Sequence, residues 1–149
     1  MLASFTLDCS RDYKSEETGV STETIRPIDV VTAFMAAMEK LDYDTAMTLV
    51  SDNCKYVNPD PVGTVHGPDG IRGILEPFFA PTLSNEWVIK TTAEAGPVVF
   101  MERVDRHQLA NGWAELPVTG VFEVHDGRIT AWRDYFDFAT IERGFTQNS

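Results

Sequence analysis

The sequence has little positive charge and little cysteine. Its 149 residues include 12 lysines and arginines against 23 aspartates and glutamates, which gives a net charge of −11 at pH 7. Nucleic acids and anionic membranes bind basic surfaces, so neither is expected as a partner. Two cysteines, Cys9 and Cys54, cannot build a disulfide framework, and no cysteine or histidine spacing indicates zinc. The histidines, at 66, 107 and 125, are scattered, so no metal is predicted.

The sequence also lacks long hydrophobic runs. No stretch approaches the roughly 20 apolar residues of a membrane-spanning helix. The first residues, MLASFTLDCS, have no basic segment and too short an apolar run for a signal peptide. We therefore expect a cytoplasmic globular protein, since 43% hydrophobic residues are enough for a core. The polar segment 1–22 is predicted to be a mobile arm that precedes a single domain over 23–149.

The hydrophobic pattern changes from a helical to a strand period near the middle of the chain. Helices are predicted over 28–41 and 43–50, and a third one from after Gly67-Pro68 to about Phe79. Pro27 suits the first turn of the first helix, and Pro77 is expected to interrupt the third. Strands are predicted over 54–58, 86–94, 97–109, 113–124 and 128–138. This order predicts an α+β domain with helices packed on one face of a curved mixed β-sheet.

The sequence ITAWRDYFDF places a carboxylate between two aromatic residues on one strand face. Asp134 shares that face with Trp132 and Phe136 because side chains alternate along a strand. A buried unpaired charge is costly, so a partner is expected nearby. Another strand carries Arg103 and Asp105 together on a face that is otherwise largely apolar. These two residues are the candidate partners of the buried carboxylate.

Turn chemistry indicates which of these inward residues lie side by side. Asn111-Gly112 predicts a two-residue hairpin loop. With that loop, Asp105 lies opposite Val118 and Arg103 lies opposite Gly120. The glycine, which has no side chain, leaves room for the guanidinium.

The second hairpin decides the face of Asp134. A two-residue loop places it opposite Thr119, facing away from the core. A three-residue loop over 125–127, with Gly127 in the left-handed conformation, places it opposite Val118. The sequence therefore predicts one row of two aspartates across this valine, and an Asp–Arg–Asp bridge at the base of an apolar cavity.

One arginine cannot neutralise two carboxylates, so an apolar pocket favours keeping one proton on the pair. The pair then offers one acid and one base. On the first strand, Tyr56 and Asn58 share a face with Cys54 and are suited to orient a water toward a carboxylate. Cys54 is expected to be an inert buried thiol. A structural ion-pair network is the alternative for the charges, and a core tyrosine is the alternative for Tyr56.

Three segments resemble the limonene-1,2-epoxide hydrolase family: YVN at 56–58, ERVD at 102–105 and GVFEVHDGRITAWRDYFD at 120–137. The resemblance extends over roughly Val30 to Phe145. It implies a cone-like α+β fold, shared with nuclear transport factor 2 (NTF2), ketosteroid isomerase and polyketide cyclases. It also implies a homodimer without metal or organic cofactor, with a small apolar epoxide and water as substrates.

The resemblance implies a role for each matching polar residue. Asp134 is the general base on water, and Tyr56 and Asn58 help to hold that water. Asp105 protonates the epoxide oxygen, and Arg103 bridges the aspartates in a one-step reaction without an ester intermediate. The pocket lining that it implies is Met35, Met38, Phe78, Leu116, Val118, Trp132 and Phe136. His107, on the face of Asp105, departs from the family pattern and is added to the substrate-binding residues.

Two other functions are compatible with such a fold. A ketosteroid-isomerase-like proton shuttle needs one aspartate as base and a tyrosine with a protonated aspartate as oxyanion hole. Arg103 argues against it, since the arginine is expected to keep Asp105 ionised. A non-catalytic ligand-binding module is the third possibility, but it has no need for an inward triad.

Overall fold

The computed structural model describes residues 24–146, which form four helices and six strands. The helices are α1 (Pro27–Glu39), α2 (Tyr43–Thr48), α3 (Gly67–Phe79) and α4 (Phe138–Thr146). The strands are β1 (Val50–Val57), β2 (Thr64–His66), β3 (Ser84–Ala95), β4 (Val98–Leu109), β5 (Gly112–His125) and β6 (Arg128–Tyr135). The predicted arm over 1–22 lies outside the described residues.

The first two helices begin at the predicted signals. Pro27 occupies the first turn of α1, where its missing N–H costs no hydrogen bond. Asp42 is the N-cap of α2, and its Oδ1 accepts a hydrogen bond from the Thr45 backbone N–H at 3.1 Å. Helix α2 ends at Thr48, so Val50 already belongs to β1 and not to the helix as predicted.

Two further predictions of helix boundaries are wrong. Pro77 lies inside α3, and the helix continues through it to Phe79 although the missing N–H removes one backbone hydrogen bond. The last predicted strand ends at Tyr135, and the unpredicted helix α4 follows it. Asp137 is the local signal for this helix, since its carboxylate accepts hydrogen bonds from the Ala139 N–H and the Thr140 hydroxyl, both at 3.1 Å.

The strands form one mixed sheet in the order β2-β1-β6-β5-β4-β3. Strands β1 and β6 pair in parallel, and all other neighbours pair antiparallel. The meander from β3 to β6 matches the prediction, whereas the short edge strand β2 was not predicted. The parallel pair brings the first long strand beside the last, so residues far apart in sequence meet there.

One face of the sheet is covered by helices. Helix α1 buries the predicted stripe of Val31, Phe34, Met35 and Met38, and α3 buries Ile71, Leu75 and Phe79. Phe34 packs edge-on against Trp132, with ring centroids 5.2 Å apart. Each such large apolar side chain contributes about 1.5–3 kcal/mol by burial. No helix within 24–146 has both the length and the hydropathy of a membrane span.

Candidate active site

Arg103, Asp105 and Asp134 all lie on the helix-covered face of the sheet. Their exposed fractions are 2%, 7% and 5%. The alternation along β4 and β6 therefore predicts their face correctly. The residues that lie opposite them on the neighbouring strands differ from the prediction, and the cause differs between the two hairpins.

In the first hairpin the glycine belongs to the strand and not to the loop. Leu109 pairs with Gly112, so Ala110 and Asn111 form the loop. Gly112 has φ 140°, a conformation that only glycine adopts readily, and it extends β5 by one residue. Asp105 consequently lies opposite Leu116, and the predicted pairing with Val118 is wrong.

The predicted three-residue loop of the second hairpin is also wrong. His125 pairs with Arg128, which leaves the two-residue loop Asp126-Gly127. Both loop residues have positive φ, 51° and 72°, as a type I′ turn requires. The left-handed conformation predicted for Gly127 is thus confirmed, while the loop length is not.

A β-bulge compensates for the shorter loop. Val124 pairs with Ile129 but Glu123 pairs with Ala131, so Thr130 is an extra residue in β6. The Thr130 hydroxyl donates to the Glu123 carbonyl at 3.2 Å. The bulge shifts the pairing of the rest of β6 by one residue, and this shift returns Asp134 to the helix-covered face.

The three charged residues therefore lie on a diagonal. Asp134 is opposite Gly120 and Arg103 is opposite Val118. The row predicted to hold both aspartates is wrong, because each hairpin is displaced by two residues along its strands. The arginine instead occupies the row between the two aspartates, and this position suits a bridge.

The guanidinium of Arg103 hydrogen-bonds to both carboxylates. Its Nε donates to Asp105 Oδ1 at 2.8 Å, and its Nη1 donates to Asp134 Oδ1 at 3.2 Å. Its Nη2 donates to the Oδ2 atom of both, at 3.3 Å for Asp105 and 2.9 Å for Asp134. Trp132 adds a donor, since its Nε1–H bonds to Asp134 Oδ1 at 2.8 Å. Such charge-assisted pairs set the orientation of all three groups.

Gly120 leaves space for this bridge, as the sequence predicts. A Cβ atom there would lie 2.5 Å from Arg103 Nη1 and 3.0 Å from Asp134 Oδ1. Any side chain at this position must displace the guanidinium or the carboxylate. The absence of a side chain is therefore a requirement of the site.

Burial makes Asp105 a weaker acid than an ordinary aspartate. Desolvation raises the pKa of Asp105 from 3.8 to about 6, and Arg103 opposes the rise without cancelling it. Arg103 consequently holds Asp105 ionised less strongly than predicted. The pKa of Arg103 itself is raised, because its two carboxylate partners outweigh the effect of its burial. No group of residues within 24–146 has the composition and spacing to hold a metal ion.

Tyr56 and Asn58 reach the bridge through the parallel pairing of β1 with β6. Tyr56 pairs with Trp132, and its ring stacks on the indole with centroids 3.8 Å apart. Two residues further on, the same register brings Asn58 level with Asp134. Burial raises the pKa of Tyr56 well above its usual value, so its hydroxyl stays protonated. The buried Nδ2 of Asn58 has no hydrogen-bond partner among the described residues.

A cavity of about 310 Å³ opens beside the bridge. The predicted residues that line it are Tyr56, Asn58, Phe78, Arg103, Asp105, His107, Leu116, Val118, Trp132, Asp134 and Phe136. Met35 and Met38 do not line it, and this part of the predicted pocket is corrected. Helix α1 packs directly on the sheet, so both methionines are buried in the core. The pKa of the Cys54 thiol, also in the core, is raised to about 12 by burial.

Several lining residues were missed in the sequence. They are Val62, Ile74, Leu75, Phe79, Trp87, Phe138 and Ile141. Phe138 and Ile141 belong to α4, whose N-cap signal at Asp137 was available. Trp87 pairs with Asp105 across β3 and β4, and the guanidinium of Arg103 lies 5.5 Å from its ring centroid. The alternation along β3 places Trp87 on the inner face, but nothing local marks it as part of a site.

Known proteins resemble this chain in sequence and in fold. The family described as limonene-1,2-epoxide hydrolase catalytic domain matches residues 25–147. The epoxide hydrolase EphG of Mycobacterium tuberculosis is 35% identical over 115 residues, 76% of this chain and 75% of that protein. The structure of an M. tuberculosis LEH-like epoxide hydrolase has a TM-score of 0.69 and 31% identity, covering 82% of this chain and 90% of that one.

More distant structures share the fold alone. An NTF2-like protein from Burkholderia pseudomallei K96243 has a TM-score of 0.72 at 20% identity, covering 80% of this chain and 97% of that one. The predicted fold class, helices on a curved mixed sheet of the NTF2-like type, is therefore confirmed.

Proposed function

Because the chain belongs to the limonene-1,2-epoxide hydrolase family and is an epoxide hydrolase, we propose that it adds water to a small epoxide in one acid–base step. The product is a vicinal diol. One observation carries the proposal: a buried Asp105–Arg103–Asp134 bridge borders a largely apolar cavity. Such a cavity suits a small, mainly apolar substrate.

Asp134 is the proposed general base. The unpaired Nδ2–H of Asn58 donates to the water oxygen, and the Tyr56 hydroxyl gives a second neutral contact. Arg103 and Trp132 hold the carboxylate in place through three hydrogen bonds. Asp134 then removes a proton while the water oxygen attacks an epoxide carbon.

Asp105 is the proposed acid. Its pKa of about 6 leaves a substantial protonated fraction near neutral pH, which an ordinary aspartate lacks. Protonation of the ring oxygen as the C–O bond breaks avoids a free alkoxide. Asp134 then carries a proton and Asp105 lacks one, and transfer along the bridge or through solvent restores the resting state.

Oxygen-18 water tests the one-step mechanism. A single turnover with enzyme in excess over epoxide should place the label in the diol at once. A carboxylate nucleophile would instead deliver one of its own oxygens, and the label would enter Asp134 later, when water cleaves the ester. Unlabelled diol from the first turnover would refute direct attack.

A substrate panel tests the reaction class against the isomerase alternative. Small apolar epoxides should be hydrolysed, and a Δ5-ketosteroid should not be isomerised. Isomerisation of the ketosteroid without epoxide turnover would overturn the proposal. Catalytic competence of Asp134→Asn on any epoxide would contradict the assignment of the base.

We also propose a homodimer. The sheet face opposite the helices carries four exposed apolar side chains, here called the outer apolar face: Val88, Phe100, Trp113 and Tyr135. Water-exposed aromatic residues on a sheet face are typical of protein–protein contacts. This support comes from the chain itself and agrees with the family resemblance.

A further inference from the structure

The cavity contains a polar side chain that the proposed reaction does not use. His107 is 1% exposed and lines the cavity. The rings of Phe78, Phe79 and Phe145 surround its imidazole, with centroids 5.3–5.9 Å away. A polar ring in such apolar surroundings requires hydrogen bonds to be stable.

A chain of hydrogen bonds sets the tautomer of His107. The Thr82 hydroxyl donates to the Phe79 carbonyl at 2.8 Å, so Thr82 Oγ1 is left as an acceptor. Asn85 Nδ2 donates to that oxygen at 2.9 Å, which orients the amide. Asn85 Oδ1 then faces His107 Nδ1 at 2.7 Å and accepts its proton. Nδ1 therefore carries the hydrogen, and Nε2 of the neutral ring carries a lone pair.

The ring stays neutral under ordinary conditions. Burial, followed by the nearby positive charge of Arg103, lowers the pKa of His107 to about 4. Nε2 is consequently an acceptor and not a donor. Nδ1 and Nε2 flank Cε1 and point in different directions, so with Nδ1 bonded to Asn85 on β3, Nε2 points away from Asn85.

A buried donor without a hydrogen-bond partner lies at the same end of the cavity. Trp87 and His107 both pack against Phe79, with ring centroids 6.3 Å and 5.3 Å from it. The buried Nε1–H of Trp87 has no hydrogen-bond partner among residues 24–146. An acceptor from His107 and a donor from Trp87 match a hydroxyl, which both donates and accepts.

We infer that His107 Nε2 binds a hydroxyl of the substrate, so that the preferred epoxide carries a hydroxyl group remote from its ring. His107 is two residues from Asp105 on the same strand face, a spacing of roughly 7 Å. The hydroxyl is therefore about that distance from the epoxide oxygen that Asp105 protonates. This inference rests on the proposed function, since it takes Asp105 as the acid.

Two matched epoxides test the inference. One is an oxirane with a 4-hydroxybutyl chain, and the other has an n-pentyl chain, in which a methyl replaces the hydroxyl. His107→Leu removes the acceptor and keeps an apolar side chain. It should lower kcat/KM for the hydroxylated epoxide by about 10- to 100-fold, mainly through KM. For the pentyl epoxide the change should be no more than about 3-fold.

Two further variants separate binding from packing. His107→Gln offers an amide oxygen near the position of Nε2 and should restore part of the preference for the hydroxylated epoxide. Phe78→Leu changes the wall of the cavity without removing a polar group, so it should affect both epoxides alike. An equal effect of His107→Leu on both epoxides would mean that the histidine only packs, and the inference would be wrong.

Binding of unreactive analogues keeps the test independent of turnover. The cyclopropane counterparts of both compounds have no ring oxygen to protonate, and their dissociation constants report the subsite alone. His107→Leu should bind the hydroxylated analogue more weakly than the wild type does, and it should bind the pentyl analogue as tightly as the wild type. This result without hydrolysis of either epoxide would refute the proposed function and leave the subsite standing. Equal dissociation constants before and after substitution would refute the subsite.

Discussion

Asp105 combines a proposed chemical role with a cost in stability. Its pKa is about 6 in the folded protein against 3.8 in a free side chain, so the folded state binds the proton more tightly. The stability that this proton contributes is complete below pH 3.8 and is lost as the pH rises to about 6. Above that pH the buried carboxylate is ionised, and the difference corresponds to roughly 3 kcal/mol.

Asp105→Asn is therefore expected to abolish turnover while stabilising the fold. At pH 8 the variant should exceed the wild type in free energy of unfolding by up to about 3 kcal/mol, and the difference should vanish near pH 4. Denaturant titrations at both pH values measure it. A variant that is less stable than the wild type at pH 8 would show that the Arg103 pairing outweighs burial.

The pH dependence of wild-type turnover follows from the same residue. If the acid must be protonated, kcat/KM should fall about tenfold per pH unit above pH 6. A rate profile over pH 5–9 checks this. A flat profile over that range would remove Asp105 from the role of acid.

Replacement of Asp134 is expected to change kcat. Asp134→Asn should reduce kcat by about 1000-fold or more, since it removes the base but keeps a side chain of the same shape. Trp132→Phe is the comparison, because it deletes the Nε1–H hydrogen bond at 2.8 Å, together with part of the ring that packs on Tyr56 and Phe34, and should cost about 10-fold. Circular dichroism should show a retained fold in both. Equal losses in the two variants would mean that orientation and not basicity is lost.

Strand β5 shows how an element serves the site through a missing side chain. Gly120 lies at the centre of the sheet, where glycine is ordinarily unfavourable because it weakens a strand. Its neighbours explain it, since Arg103 Nη1 occupies the space that a Cβ atom would fill. Strand stability is given up there so that the bridge can form.

Gly120→Ala should therefore displace the guanidinium. We expect a loss of activity of about 100-fold and a destabilisation of roughly 1–3 kcal/mol. Gly73→Ala in α3 is the control, because a Cβ atom there meets nothing within 4 Å and a helix interior favours alanine by roughly 0.5–1 kcal/mol. Full activity in Gly120→Ala would show that the bridge tolerates another geometry.

At the scale of the whole molecule, charge and apolar surface act against each other. A chain with net charge −11 repels its own copies, whereas the outer apolar face favours association. Salt screens the repulsion and leaves the apolar contact intact. A dimer through this face should consequently tighten as salt rises from low to physiological concentration.

Sedimentation of Phe100→Glu tests the proposed dimer. The added charge on the outer apolar face should produce monomers at concentrations where the wild type is dimeric. Leu83→Glu is the matched control, because Leu83 is an exposed apolar residue between α3 and β3 and outside this face. A monomeric wild type, or dissociation by both variants alike, would contradict the assignment.

The sequence by itself determined which candidate residues share a face of their own strand. Alternation is a local property of a strand, so it puts Arg103 and Asp105 on one face of β4 and Tyr56 on the face of Asn58. The face of Asp134 depends in addition on the bulge at Thr130. The helix stripe of α1 and the cap at Asp42 are local in the same sense. The predicted fold class and the membership of the bridge rest on these short-range patterns.

Only the tertiary structure decided the rows, the cavity and the hydrogen-bond partners. Register depends on the φ of Gly112 and on the bulge at Thr130, and one loop residue more or less changes every pairing beyond it. Asp134 stayed on the predicted face because the bulge at Thr130 added one residue to the one-residue displacement caused by the shorter second loop. The cavity walls and the relay from Thr82 through Asn85 to His107 join segments distant in sequence, and no local pattern encodes a contact between such segments.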